Sequence, residues 1–305
     1  MSEHKKAVLA LITTSLIWGA APPIFKWSLE NIPVFSLAFI RFFGAAILFF
    51  FLARKNLSFE KKHLPKLILA ACYGISFHIP LFFFGLKTTT SINAGVISTA
   101  APLFTIAAAS FVLRERIKLR TLLGTFIGMI GVLSIIGEPL LTEGFSLSFI
   151  GNVLLLLATL LWALYTLESK ELFAHYSPMT VTFYSFFIGG LFFLPFVLLE
   201  YAHNPFWMLD LDIRGIVGIL FGVFLSSSLA YFLLQWGLSR MKLSEIGVFI
   251  YLDPIVTTLV AVPLLGERLT PLFLLGALLV FFGIYVAERR IAYHPLHKLK
   301  NHSPS

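Results

Sequence analysis

Apolar residues run for about twenty positions at a time along this chain, and the polar residues that part them come in short links. Ten such runs fall at roughly 7–26, 34–54, 65–86, 92–113, 120–137, 147–168, 178–199, 213–236, 244–265 and 271–288. A helix rising about 1.5 Å per residue needs about 20 residues to cross about 30 Å of hydrocarbon. The pattern therefore predicts an all-α membrane protein with ten transmembrane helices. So little sequence is left between the runs that a separate catalytic head has no room.

Composition agrees with that reading. Of the 305 residues 58% are hydrophobic and 12% charged, 33 are Phe, and the mean hydropathy is +0.90. Soluble domains do not have this composition. The first run has a short basic start, yet no small-x-small cleavage site closes it, so it reads as a helix rather than a removed signal. The single cysteine, Cys72, lies within the third run and carries no information about compartment.

A net charge of +8 raises the possibility of nucleic acid, and its distribution answers it. With the N-terminus inside, 18 Lys and Arg lie on the cytoplasmic side. Only Lys26, Lys87, Arg214 and Arg268 lie outside, and Arg41 is left within a run. That asymmetry follows the positive-inside rule and predicts cytoplasmic termini in the inner (plasma) membrane. The basicity is topological, and no nucleic-acid partner is expected.

The chain also repeats itself. At an offset of 152, Gly85 meets Gly237, Gly95 meets Gly247, Pro102 meets Pro254, Glu115 and Arg116 meet Glu267 and Arg268, and Gly131 meets Gly283. At 144, Trp18 meets Trp162, Lys26 meets Lys170, and Phe42 and Phe43 meet Phe186 and Phe187. Five helices followed by five make two repeats, 1–137 and 147–288, with 289–305 a basic cytoplasmic tail. An odd number of crossings turns the second copy upside down. The charges agree, since the link holding Arg114, Arg116, Lys118 and Arg120 keeps only Arg268 in its counterpart. Inverted repeats of this kind rock about a site near the bilayer midplane in secondary transporters.

The run WGAAPPIFKW, the RFFGA of the second run, SINAGVISTAAPLF and the paired LRER and LGER helix ends resemble the drug/metabolite transporter superfamily, in its EamA-type ten-helix branch. The resemblance spans residues 7–288, and its specificity lies in the order and duplication of these motifs. It implies an exporter or exchanger of amino acids and small metabolites.

Several polar residues sit where hydrocarbon makes them costly. Asp253 falls near the middle of the ninth run, followed by Pro254, whose missing amide frees a carbonyl in the turn before. It is a candidate coupling group. Arg41, in the second run, is a bidentate partner for a substrate carboxylate or for Asp253 itself. His78, followed by Pro80, is a candidate proton relay and cavity residue. The repeat-related Trp18 and Trp162, with Tyr165, Tyr184, Tyr231 and Tyr251, predict an aromatic-walled chamber able to receive a cation or a ring. Asn93, Ser98 and Thr99, with Ser226, Ser227, Ser228 and Gln235, are candidate polar lining, although such residues often bond their own backbone. GTFIG and GILFG read as helix-packing faces. Lys26, Lys170, Glu115 and Glu267 close helices near the headgroups, as snorkelling charges or as pairs that brace a gate.

Enzyme signatures for zinc, an activated serine or a phosphate loop are missing; GLKTTT lacks the upstream glycine of the last. No metal and no cofactor is expected. The sequence thus reads as a carrier of a small polar metabolite, outward by alternating access, with the lipid bilayer and a small-molecule substrate as partners, acting as a monomer or weak dimer. An amino acid or other small metabolite fits better than a nucleotide sugar, since Arg41 is the one basic residue clearly at depth. The alternatives are a nucleotide-sugar or drug carrier of the same fold, or an intramembrane lipid-modifying enzyme.

Overall fold

The computed structural model describes residues 3–53, 57–104, 119–173, 175–238, 249 and 251–288, and the side chains of Ala53, Lys170, Gln235, Leu238, Ala287 and Glu288 lie outside the described part. Among the described residues there is helix and no strand. Each predicted run contains a helix. They are α1 (Glu3–Ser28), α2 (Val34–Ala53), α3 (Lys61–Thr88), α4 (Ser91–Phe104), α5 (Leu119–Thr142), α6 (Leu147–Leu172) and α7 (Pro178–His203). The last three are α8, in three parts (Ile213–Leu220, Phe221–Leu229 and Ala230–Leu238), α9 (Leu252–Leu265) and α10 (Pro271–Glu288). Among the described residues seven are long and apolar enough to cross a membrane, and the described parts of α4, α9 and α10 are shorter apolar stretches.

Outward-facing side chains such as Phe51, Phe126, Leu133, Leu259 and Leu278 are exposed, while Phe25, Phe42, Phe83, Phe186 and Phe193 are buried at the centre. Where lipid is as apolar as the core, helices associate by close packing, and glycines permit the closest approach. A β-carbon on Gly131 would stand 2.5 Å from the Gly276 carbonyl oxygen, and one on Gly283 would collide with the Gly128 backbone. So α5 and α10 touch backbone to backbone, which accounts for GTFIG. In GILFG, Gly218 admits Ser28 of α1, and Gly222 packs against Phe25 and Arg41.

Helix ends are capped from neighbouring elements. Glu200, in the last turn of α7, accepts from the Phe35 and Ser36 amides and the Ser36 hydroxyl at 2.8–2.9 Å, closing the start of α2. A carboxylate there satisfies orphan amides and the positive end of the helix dipole. Ser146, Ser177 and Asp212 cap α6, α7 and α8 from within the chain.

Three helices depart from regular α geometry, and a fourth starts well inside the run predicted for it. In α3 the stretch Cys72–Phe77 widens to a π-helix, since Pro80 has no amide for the Ser76 carbonyl. In α8 Phe221–Leu229 does the same, with the Ser228 hydroxyl bonded to the Val223 carbonyl at 2.6 Å. In α4 a turn at Thr99–Ala100 interrupts the helix just before Pro102. And α9 begins at Leu252, so Asp253 stands in its first turn and not near its middle. Pro254 explains this, because proline is tolerated in a first turn where its missing amide would be orphaned anyway. An acid in that turn also meets the positive end of the dipole.

Candidate functional site

The interrupted stretch of α4, the π-helical stretch of α8 and the first turn of α9 border a cavity of about 150 Å³. From α1 come Trp18, Pro22 and Phe25; from α2, Arg41; from α3, His78, Ile79 and Phe82. Gly95, Ser98 and Thr99 of α4, Thr159 and Trp162 of α6, Ser226 and Tyr231 of α8, and Asp253 and Thr257 of α9 complete the wall.

One side is a cluster of rings. Trp18 stands edge-on to Trp162 with centroids 6.2 Å apart, and Tyr231 lies 5.1 Å from Trp18 and 6.4 Å from Trp162. His78 packs 5.5 Å from Trp162 and stacks on Phe82. The Trp18 indole N–H donates to the Ser226 carbonyl at 3.0 Å, which fixes the ring against α8. The His78 Nδ1 is 2.8 Å from the Ala158 carbonyl. A carbonyl only accepts, so Nδ1 carries the hydrogen and Nε2 is left as an acceptor in the neutral ring.

The charged groups are held apart from each other. Arg41 is buried and donates from Nε to Ser227 Oγ at 2.7 Å and from Nη2 to Ser226 Oγ at 3.0 Å. Its guanidinium lies 4.6 Å from the ring centroids of both Phe25 and Phe42. The expected alternative of a direct pair with Asp253 is therefore not the arrangement found; two serines of α8 take the donors instead. Among the described residues these two are the hydrogen bonds found for the guanidinium, which has five N–H groups to offer. Asp253 has its backbone carbonyl engaged by Thr257 Oγ1 at 2.9 Å, and that hydroxyl is also 2.7 Å from the Gly19 carbonyl. Its carboxylate Oδ1 is buried without a hydrogen-bond partner among the described residues.

Trp18, Arg41, His78, Ser98, Trp162, Tyr231 and Asp253 thus meet at one cavity. Six other candidates do not line it, among them Ser227, which holds Arg41, and Ser228, which bonds the Val223 carbonyl. Asn93 donates to Asn152 Oδ1 at 3.2 Å, and Asn152 reaches the Ile135 carbonyl at 3.1 Å, so this pair ties α4, α6 and α5 together. Tyr165 lies behind Trp162, 5.2 Å away, against Gly74. The Tyr184 hydroxyl donates to the Leu57 carbonyl at 2.7 Å, beyond the end of α2. Tyr251 precedes α9 and packs on Phe281 of α10. The Gln235 side chain and Glu115 lie outside the described residues. Lining that sequence reasoning missed was one or two helical turns from residues it found: Phe25 from Trp18, Phe82 from His78, Thr159 from Trp162 and Thr257 from Asp253. Among the described residues no group of three or more His, Cys, Asp or Glu is placed to hold a metal ion.

Apolar helices with lipid-facing exteriors, broken at mid-length around a polar and aromatic chamber, define a multi-pass membrane protein. The chain belongs to the EamA-like transporter family, whose model matches residues 5–137 and again 149–288. It is 31% identical to a probable amino-acid metabolite efflux pump of Salmonella typhimurium, over 93% of this chain and 95% of that protein. It is 28% identical to an uncharacterized transporter of Archaeoglobus fulgidus, over 94% and 99%. A solved crystal structure superposes with a TM-score of 0.65 at 19% identity, covering 98% of this chain and 99% of that one, and so shares the fold.

Proposed function

We propose that this transporter is a secondary carrier that exports amino acids or other small polar metabolites across the inner (plasma) membrane by alternating access, as a monomer or weak dimer. The carrying observation is the central cavity, bordered by interrupted α4 and by the first turn of α9, with Arg41, His78 and Asp253 in its wall. Half-helix ends at membrane depth supply fixed dipoles to a polar ligand. In this reading Arg41 holds a substrate carboxylate, the rings of Trp18, Trp162 and Tyr231 enclose the apolar part, and Asp253 and His78 couple transport to protons.

The ten helices act as two inverted five-helix repeats, 1–137 and 147–288, with both termini in the cytoplasm. Two matches of one family model, to residues 5–137 and 149–288, support this. So do the π-helical stretches Cys72–Phe77 and Phe221–Leu229, which fall together at the offset of 152. The Salmonella relative's name supports amino-acid metabolites as cargo.

Counterflow in proteoliposomes tests the proposal. Vesicles preloaded with an unlabelled amino acid should accumulate the labelled one, chemically unchanged, beyond protein-free controls. No counterflow across a panel of amino acids and small polar metabolites refutes the carrier reading, and a chemically altered compound points to an enzyme.

A further inference from the structure

We propose that Asp253, with Trp18 and Trp162 in the wall of the same cavity, forms a subsite for a protonated amine, so that the cargo of the carrier proposed above bears an ammonium group. Asp253 lines the cavity, and its Oδ1 is buried with no hydrogen-bond partner among the described residues. Leaving such an acceptor unmet is costly, and a ligand that donates to it recovers the loss.

The nearby groups do not meet that need. The Ser15 hydroxyl lies within hydrogen-bonding reach of the Asp253 carboxyl, but it has one proton and donates it to the Phe249 carbonyl at 2.8 Å. Arg41 is engaged by Ser226, Ser227 and two phenyl rings. Lys26 is paired with Glu267. The dipole of α9 favours an anion in its first turn but supplies only about half a unit charge, leaving room for a cation.

The surroundings suit a cation and not a neutral donor alone. The Trp18 N–H is spent on the Ser226 carbonyl, so what this indole has left to offer is its π-system. Trp162 stands perpendicular to it at 87°, giving two ring systems in the same wall, and indoles are the strongest of the side-chain π partners for ammonium ions. With Nδ1 turned to the Ala158 carbonyl, the neutral form of His78 offers Nε2 as a second acceptor for such a donor. A ligand that is only an anion gains Arg41 but must face Asp253. An amino acid or a simple amine satisfies both charges or the orphan one.

The test needs no knowledge of the natural cargo. Benzylammonium and benzyl alcohol have nearly the same shape and differ in charge, and binding is read as quenching of tryptophan fluorescence in the purified full chain. Benzylammonium should quench saturably and benzyl alcohol should not. Asp253→Asn should weaken the ammonium by about tenfold or more, and Asp253→Glu should recover part of that loss. Equal response to the two probes in the parent protein, no saturable quenching, or unchanged affinity in Asp253→Asn each overturns the subsite. The parent comparison decides even where a variant does not fold. Binding without counterflow removes the carrier reading and leaves the subsite standing. Counterflow that treats amines and their N-acetyl derivatives alike removes the subsite and leaves the carrier.

Discussion

Lys26 Nζ lies 3.1 Å from Glu267 Oε1, joining the last turn of α1 to the link that follows α9. The same carboxylate accepts from the Ser91 amide at 2.7 Å, the Ser91 hydroxyl at 3.0 Å and the Ile92 amide at 3.0 Å, so it also caps α4. Lys26 in turn reaches the Thr89 carbonyl at 2.5 Å. Three helix ends are fastened by two side chains. Of the two sequence readings for these residues, snorkelling and bracing, the contacts are those of a brace.

Two outcomes follow from that geometry. Glu267→Ala leaves three donors and a cation without their partner and is expected to cost about 2 to 3 kcal/mol, read as lowered thermal stability in detergent. Lys26→Met keeps the cap and removes only the cation, so its stability loss should be the smaller. If the brace also closes this end of the carrier, Lys26→Met in a Cys72→Ser background should speed labelling of a cysteine placed at Ser98 by a reagent added from that side. Unchanged labelling assigns the pair to stability alone.

The inverted arrangement is exposed to direct measurement. Single cysteines near 57, 117 and 295 should be blocked by an impermeant reagent only from the cytoplasmic face, and those near 142, 205 and 269 only from outside. Labelling of 117 and 269 from one side contradicts the inversion.

Glycine positions separate packing from propensity. Gly283 of α10 meets Gly128 and Gly124 of α5 through backbone atoms that cannot swing aside. Gly283→Leu should therefore cost about 3 kcal/mol or abolish folded expression. Gly137 lies in the interior of α5 with nothing within 4 Å of a β-carbon. Gly137→Ala should raise stability by about 0.5 to 1 kcal/mol, seen as a higher unfolding temperature.

Most helix positions were legible because a membrane span is encoded by length and hydropathy, which need no tertiary information. Charged groups in apolar runs were legible for a related reason: Arg41 and Asp253 are costly there unless something receives them, and both line the cavity. Rotation of each helix was not legible. Tyr231 and Tyr184 are alike in sequence terms, yet one faces the chamber and the other reaches the Leu57 carbonyl. When a helix is apolar all round, the chain carries no stripe that says which side turns inward. Asp253 shows a second limit. Its neighbour Pro254 signals a discontinuity, but a kink within a helix and the first turn of one carry the same two letters.

Arg41 and Asp253 share the cavity without touching, so substitutions at the two should separate. Arg41→Lys keeps the charge but cannot reproduce the planar Nε and Nη2 donors that hold Ser227 and Ser226. It should weaken binding of ligands bearing a carboxylate by about tenfold while leaving simple amines nearly unaffected. Asp253→Asn keeps the shape and removes the group that can exchange a proton. Since His78 and Tyr231 also line the cavity, a residual pH dependence in Asp253→Asn would assign coupling to one of them, with His78→Gln as the next variant. The expected result is transport without pH dependence, retaining exchange, measured as proteoliposome counterflow with and without an imposed proton gradient. An unchanged pH profile in both variants leaves Asp253 as a ligand group only.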